Sequence, residues 1–103
     1  MRVIWDPQAK EARNQVAGYI LRCFGTKRKT RFLLEVRETT DMLKTHPNIG
    51  QIDQLFADRP KTYRSVIING LSKMVYCLED DIIYIAAFWD CRQEPTYQAT
   101  RTR

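Results

Sequence analysis

The sequence holds one histidine and three cysteines, and both scarcities exclude chemistry. His46 stands alone before Pro47 near a helix end, with no second ligand close by, which argues against a histidine-based triad or a metal site. Cys23, Cys77 and Cys91 are odd in number and none has C-x-x-C spacing. That leaves free thiols, expected to be mostly buried, in place of a disulfide framework or a metal or redox pair. No apolar run approaches the ~20 residues that span a bilayer. The opening MRVIWDP lacks the apolar stretch of a secretion signal. The expected compartment is therefore the cytoplasm. Residues 59–78 also lack any acid, although Arg59, Lys61, Arg64 and Lys73 fall there.

What is present describes a globular chain. Of 103 residues 44% are apolar and 11% aromatic, enough for one domain with a modest core. The net charge of +5 favours an anionic partner: nucleic acid, an acidic protein segment or a membrane surface. A second basic cluster, TKRKTR at 26–31, has the look of a solvated turn between helices.

The periodicity divides the chain. Residues 2–5 form a short strand. Asp6 is a good N-cap, and Pro7 suits the first helical position, where its missing N–H costs nothing. Ala9, Ala12, Val16, Tyr19, Ile20 and Cys23 then follow at helical spacing, and Gly25 closes a helix over about 7–24. Phe32, Val36 and Leu43 mark a second helix over about 28–46, with an Arg31–Glu35 pair on its outer side. Pro47 disfavours helical geometry in His46 and ends it. Residues 47–61 hold turn formers and a brief strand-like QLF at 54–56. Three β segments follow at 62–69, 72–79 and 82–90, joined at Asn69-Gly70 and Asp80-Asp81. The last is apolar on both faces, as an interior strand would be. The expected fold is α+β, in the order β-α-α-β-β-β: an antiparallel helical hairpin packed on a small antiparallel sheet. Residues 1–95 form a single domain in this reading, and 96–103 a flexible C-terminal tail anchored by Tyr97.

Four stretches, in order, resemble the RelE/ParE superfamily of bacterial type II toxins. They are VIWDPQAKEA at the opening, LKTHPNIGQ with its Pro-x-x-Gly, YRSVIING with its Tyr-Arg start, and KMVYCLEDDIIYIAAFWDCRQEP with its Arg-x-acidic-Pro ending. The resemblance covers residues 3–95. It implies the toxin of a toxin–antitoxin pair, neutralised by an acidic, partly disordered antitoxin protein, with no cofactor and no metal.

The family divides at function. RelE-like members cleave messenger RNA on the ribosome with basic side chains, which stabilise the charge that grows on the phosphorane. ParE-like members act on DNA gyrase. By resemblance, Arg64 stands at the first basic position of a RelE-like site, Lys73 where an arginine is usual, Arg92 at the C-terminal arginine and Tyr97 near the late tyrosine. These four are the candidate catalytic set if the chain is RelE-like. Val66 replaces the second strand cation, and with the Arg-x-acidic-Pro ending this places the chain nearer the ParE branch. Arg59, Lys61, Arg64, Lys73 and Arg92 are then expected to bind the target. A structural reading stands beside each: Arg64 and Arg92 as partners of Asp90 or Glu94, Lys73 as a solvated hairpin residue, Tyr97 as a pin for the tail, and Trp5 and Trp89 as core.

Overall fold

The structure is a computed structural model, and it describes residues 1–90. Cys91, Arg92, Gln93, Glu94, Pro95, Tyr97 and the expected tail lie outside the described residues. Strand β1 (Arg2–Trp5) leads into helices α1 (Pro7–Phe24) and α2 (Thr26–Thr45), followed by the short β2 (Gln51–Ile52). Then come β3 (Tyr63–Ile68), β4 (Ser72–Glu79) and β5 (Ile82–Asp90). All five strands form one sheet in the order β1-β5-β4-β3-β2. It is antiparallel from β2 to β5, while β1 joins β5 in parallel. The whole helical hairpin separates β1 from β5 in sequence, the long crossover a parallel pair requires.

The local signals for these elements are physical. Asp6 is buried, and its Oδ2 accepts from the Gln8 N–H at 3.0 Å, which caps α1. Asn69 and Gly70 both have positive φ (56° and 70°), the signature of a hairpin turn whose twist matches its strands. Gly25, at φ 92°, is at once the C-cap of α1 and the N-cap of α2. One residue therefore joins the helices, and TKRKTR is the start of α2, not a turn before it. The segment 54–56 is a 3-10 turn, not a strand. Asp53 caps it through a 2.9 Å bond from the Leu55 N–H to Oδ1, and that local bond competes with extended backbone.

The helices cover one face of the sheet. Phe32, Val36 and Leu43 of α2 meet Met74, Tyr76, Ile83, Ile85 and Phe88 in the main core, with Ala9 and Ala17 from α1. Tyr19 and Cys23 are exposed, contrary to the stripe read from sequence. The last turn of α1, residues 21–24, is exposed on every side, so nothing there rewards an apolar face. The opposite face of the sheet has its own smaller core: Phe56, Tyr63, Val75, Cys77 and Trp89, roofed by the 53–57 segment. Between Val75↔Ala87 and Tyr76↔Ile85 the ladder skips Ala86. This bulge resets the alternation, so that Ile85 and Phe88 both face the helices.

Candidate functional site

The Pro-x-x-Gly stretch is fixed by the sheet beneath it. The fully buried Tyr76 hydroxyl donates to the Pro47 carbonyl at 2.7 Å and accepts from the Gly50 N–H at 3.0 Å. Burial pushes its phenol above the ordinary range, with the Gly50 amide and Arg64 pulling the other way. A Cβ at Gly50 would stand 2.8 Å from that hydroxyl and 2.9 Å from the Ser65 carbonyl oxygen, so only glycine fits. Arg64 completes the latch, its Nη1 donating to the Gly50 carbonyl at 2.9 Å and facing the Asn48 carbonyl at 3.4 Å.

The latch holds 47–52 beside the sheet but lets β2 cover little of β3. Gln51 and Ile52 pair with Ser65 and Arg64 alone, so Val66–Ile68 have no strand on that side among the described residues. A groove of about 660 Å³ follows this open edge. Its walls include Met42 of α2, Ile49, Ile67 and, at the far end, Lys73 and Trp89. Met42, Ile49 and Ile67 are exposed at 39%, 52% and 55%, an apolar surface that no described residue covers.

The cations expected from sequence do not converge. Arg64 is paired across the ladder with Tyr76, on the helix side of the sheet. Lys73 is paired with Ile67 and Trp89, on the other side. There its ammonium stands 2.8 Å from Oδ2 of Asp53, a carboxylate whose side chain is only 2% exposed. The approach is off the line of a hydrogen bond, so the contact is an ion pair, with Lys73 also 5.4 Å from the Trp89 ring centre. Arg59 lies 5.2 Å over the Phe56 ring and 3.9 Å from Asp58. Lys61 bonds Glu79, which raises its pKa, and shares a depression of about 330 Å³ with Arg64 and Asn48. Lys61 and Arg64 are thus brought together; Lys73 and Arg59 are elsewhere. Arg92 and Tyr97 lie outside the described residues.

Lys73 is therefore half of a partly buried pair, not the fully solvated hairpin residue of the structural reading. The open edge and its groove were missed from sequence. Their signal was Ile49, Ile52 and Ile67, three isoleucines in or beside β segments too short or too one-sided to bury them. Trp89 is core, as expected, and Trp5 packs partly buried against Phe88. Among the described residues, no three His, Cys, Asp or Glu side chains are grouped to hold a metal ion. Nor, among those residues, is any helix long and apolar enough to cross a membrane.

Comparison with known proteins agrees with this architecture. A family model described as "ParE toxin of type II toxin-antitoxin system, parDE" matches residues 3–95. Among solved structures, a chain of the "Chromosomal ParDE TA system from P. aeruginosa" superposes with a TM-score of 0.70 at 13% identity, covering 87% of this chain and 95% of that one. At that identity the likeness is one of fold. No curated protein matches the chain by sequence.

Proposed function

From the premise that the chain belongs to the ParE toxin family of type II toxin–antitoxin systems, we propose that it arrests growth by acting on DNA gyrase and is neutralised by an acidic, partly disordered antitoxin. The observation that carries the gyrase reading is the dispersal of the strand cations. Ribosomal mRNA cleavage by basic side chains needs several of them around one phosphate, where a single donor is worth about 10²–10³ in rate. Arg64 and Lys73 lie on opposite faces, each engaged in holding the fold, with Val66 on the strand between them. A protein that works by binding has no such need. Arg92 keeps its proposed role as a target contact, and the depression shared by Lys61 and Arg64 is a proposed basic surface for the same target.

The open edge of β3 suits the antitoxin. An extended segment can add a strand at Val66–Ile68 while apolar side chains fill the groove over Met42, Ile49 and Ile67. Expression of the chain under tight control tests both halves. The expected result is DNA breakage with an SOS response, no codon-specific cuts by primer extension, and rescue by the product of an adjacent short reading frame. Codon-specific cleavage with intact DNA would replace gyrase with the ribosome. Failure of the neighbour to bind or rescue would remove the antitoxin.

A further inference from the structure

The net charge of this chain resides almost entirely in one place. Residues 12–34 contain Arg13, Arg22, Lys27, Arg28, Lys29 and Arg31 and no acid. The rest of the chain holds eleven cations against all twelve acids, a balance of −1. Folding leaves that asymmetry in place. In the sheet, Lys61 meets Glu79 and Lys73 meets Asp53. Within 12–34, only Arg31 meets an acid among the described residues, Glu35 at 3.2 Å.

The charge is also arranged against the helix that carries it. The first turn of α2 holds Lys27, Arg28 and Lys29, has no acid, and receives no side-chain cap from Gly25. Cations there face the positive end of the helix dipole. Between this turn and the β3–β4 hairpin lies a groove of about 300 Å³, lined by Ile20, Phe24, Phe32 and Leu71 with Arg28 and the Arg31–Glu35 pair, so that Arg28 is its unmatched charge among the described residues. Phe24 and Leu71 are 55% and 57% exposed.

We infer that this hairpin tip is a docking surface for an acidic polypeptide segment that carries a large apolar side chain. Charge complementarity names the acids, and the apolar floor names the anchor: aromatic or aliphatic side chains in such pockets carry most of the energy of an interface. The ring surroundings favour polypeptide over nucleic acid. One face of Phe24 is covered by the Arg28 guanidinium at 5.2 Å, and Tyr19 meets the ring edge-on at 6.4 Å. A nucleobase would need that open π face to stack. The inference stands whether or not gyrase is the target, because none of the groove's residues belongs to the latch or to the Lys73–Asp53 pair.

The test uses the full chain, isotope-labelled for NMR. It is titrated with a short synthetic peptide of glutamates around two leucines, with the same peptide carrying serines for leucines, and with a short DNA duplex. The leucine peptide is expected to shift resonances at 20–31 and 69–71, with affinity that falls as salt rises. Lys27→Glu with Arg28→Glu should weaken it at least about tenfold, since two charge contacts are reversed. Those acids suit a helix N-terminus, so the variant folds at least as well and lost binding is not lost structure. Leu71→Ser, at an exposed site, should weaken it several-fold. Equal binding by the serine peptide, unchanged binding by the variants, shifts centred elsewhere, or DNA displacing the peptide from the tip would each overturn the proposal.

Discussion

Tyr76→Phe is the sharpest perturbation of the latch, because it removes one oxygen atom and leaves the shape of the core unchanged. That oxygen holds two backbone groups, the Pro47 carbonyl at 2.7 Å and the Gly50 N–H at 3.0 Å. The Gly50 bond is buried, so its donor would have no water to turn to, whereas the Pro47 carbonyl is partly accessible. An orphaned buried donor costs about 1–3 kcal/mol, and the carbonyl adds a fraction of that, so the expected loss is about 2–3 kcal/mol. At roughly 4–8 °C per kcal/mol for a domain of this size, Tm should fall by about 10 °C or more. Urea denaturation should show a lower midpoint with an unchanged slope. Gly50→Ala attacks the same latch, and its Cβ would also meet the Ser65 carbonyl oxygen, which as backbone cannot swing aside. The two substitutions should therefore be less than additive. A Tyr76→Phe loss below about 0.5 kcal/mol, or strict additivity with Gly50→Ala, would refute the latch.

Lys73→Met should cost about 3 kcal/mol in urea denaturation, because it strands the buried Asp53 carboxylate. Adding Asp53→Asn, which can still cap the Leu55 N–H, should recover much of that; no recovery would show that Lys73 acts by packing alone. Lys27→Glu with Arg28→Glu should raise stability by about 0.3–1 kcal/mol per site through the dipole of α2; a lower urea midpoint would contradict the strain inferred at the tip. The Tyr84 phenol is pushed up to about 12, first by burial and then by its 2.6 Å bond to Asp6. The unfolded chain ionises this group near pH 10 and the folded chain later, so its contribution is complete below pH 10 and lost as pH rises towards 12. Tyr84→Phe should flatten that alkaline decline, with Tyr63, Tyr76 and the Cys77 thiol, all raised by burial first, supplying what remains. Ile85→Ala, at a fully buried site in an interior strand, should cost about 2–5 kcal/mol by thermal melting.

The elements that sequence made legible are those with chemistry at their ends. β4 and β5 begin and stop where Asn69-Gly70 and Asp80-Asp81 demanded turns, and Asp80 does adopt a positive φ of 54°. Asp6-Pro7 and Gly25 bounded α1 in the same way. What escaped had no local signature. The lower core depends on Phe56 folding back under Tyr63 and Trp89, at ring separations of 5.1 and 6.5 Å, across a segment with no periodicity. β2 is two residues long, set by the Gly50 latch more than by propensity. The parallel seating of β1 follows from the crossover, which no stretch of β1 itself encodes.

The cations grouped in sequence are dispersed in the fold for a related reason. An acid-free run in sequence is not an acid-free surface in space. Residues 59–78 contain no acid, yet Asp53, Asp58 and Glu79 reach their cations from just outside the run, and the Gly50 carbonyl takes Arg64. These contacts disperse the cluster: Lys73 fastens the lower core and Arg64 the Pro-x-x-Gly loop, while Lys61 and Arg64 still share one surface depression. Residues 12–34 look similar on paper but lie on two helices joined by one glycine, with their outer faces in solvent. Among the described residues no strand ladder brings acids to them, and Glu35, four residues beyond Arg31, is the one acid paired with them. Among the described residues, the cluster that folding leaves least matched is the one on the hairpin, and that is where the docking surface is proposed.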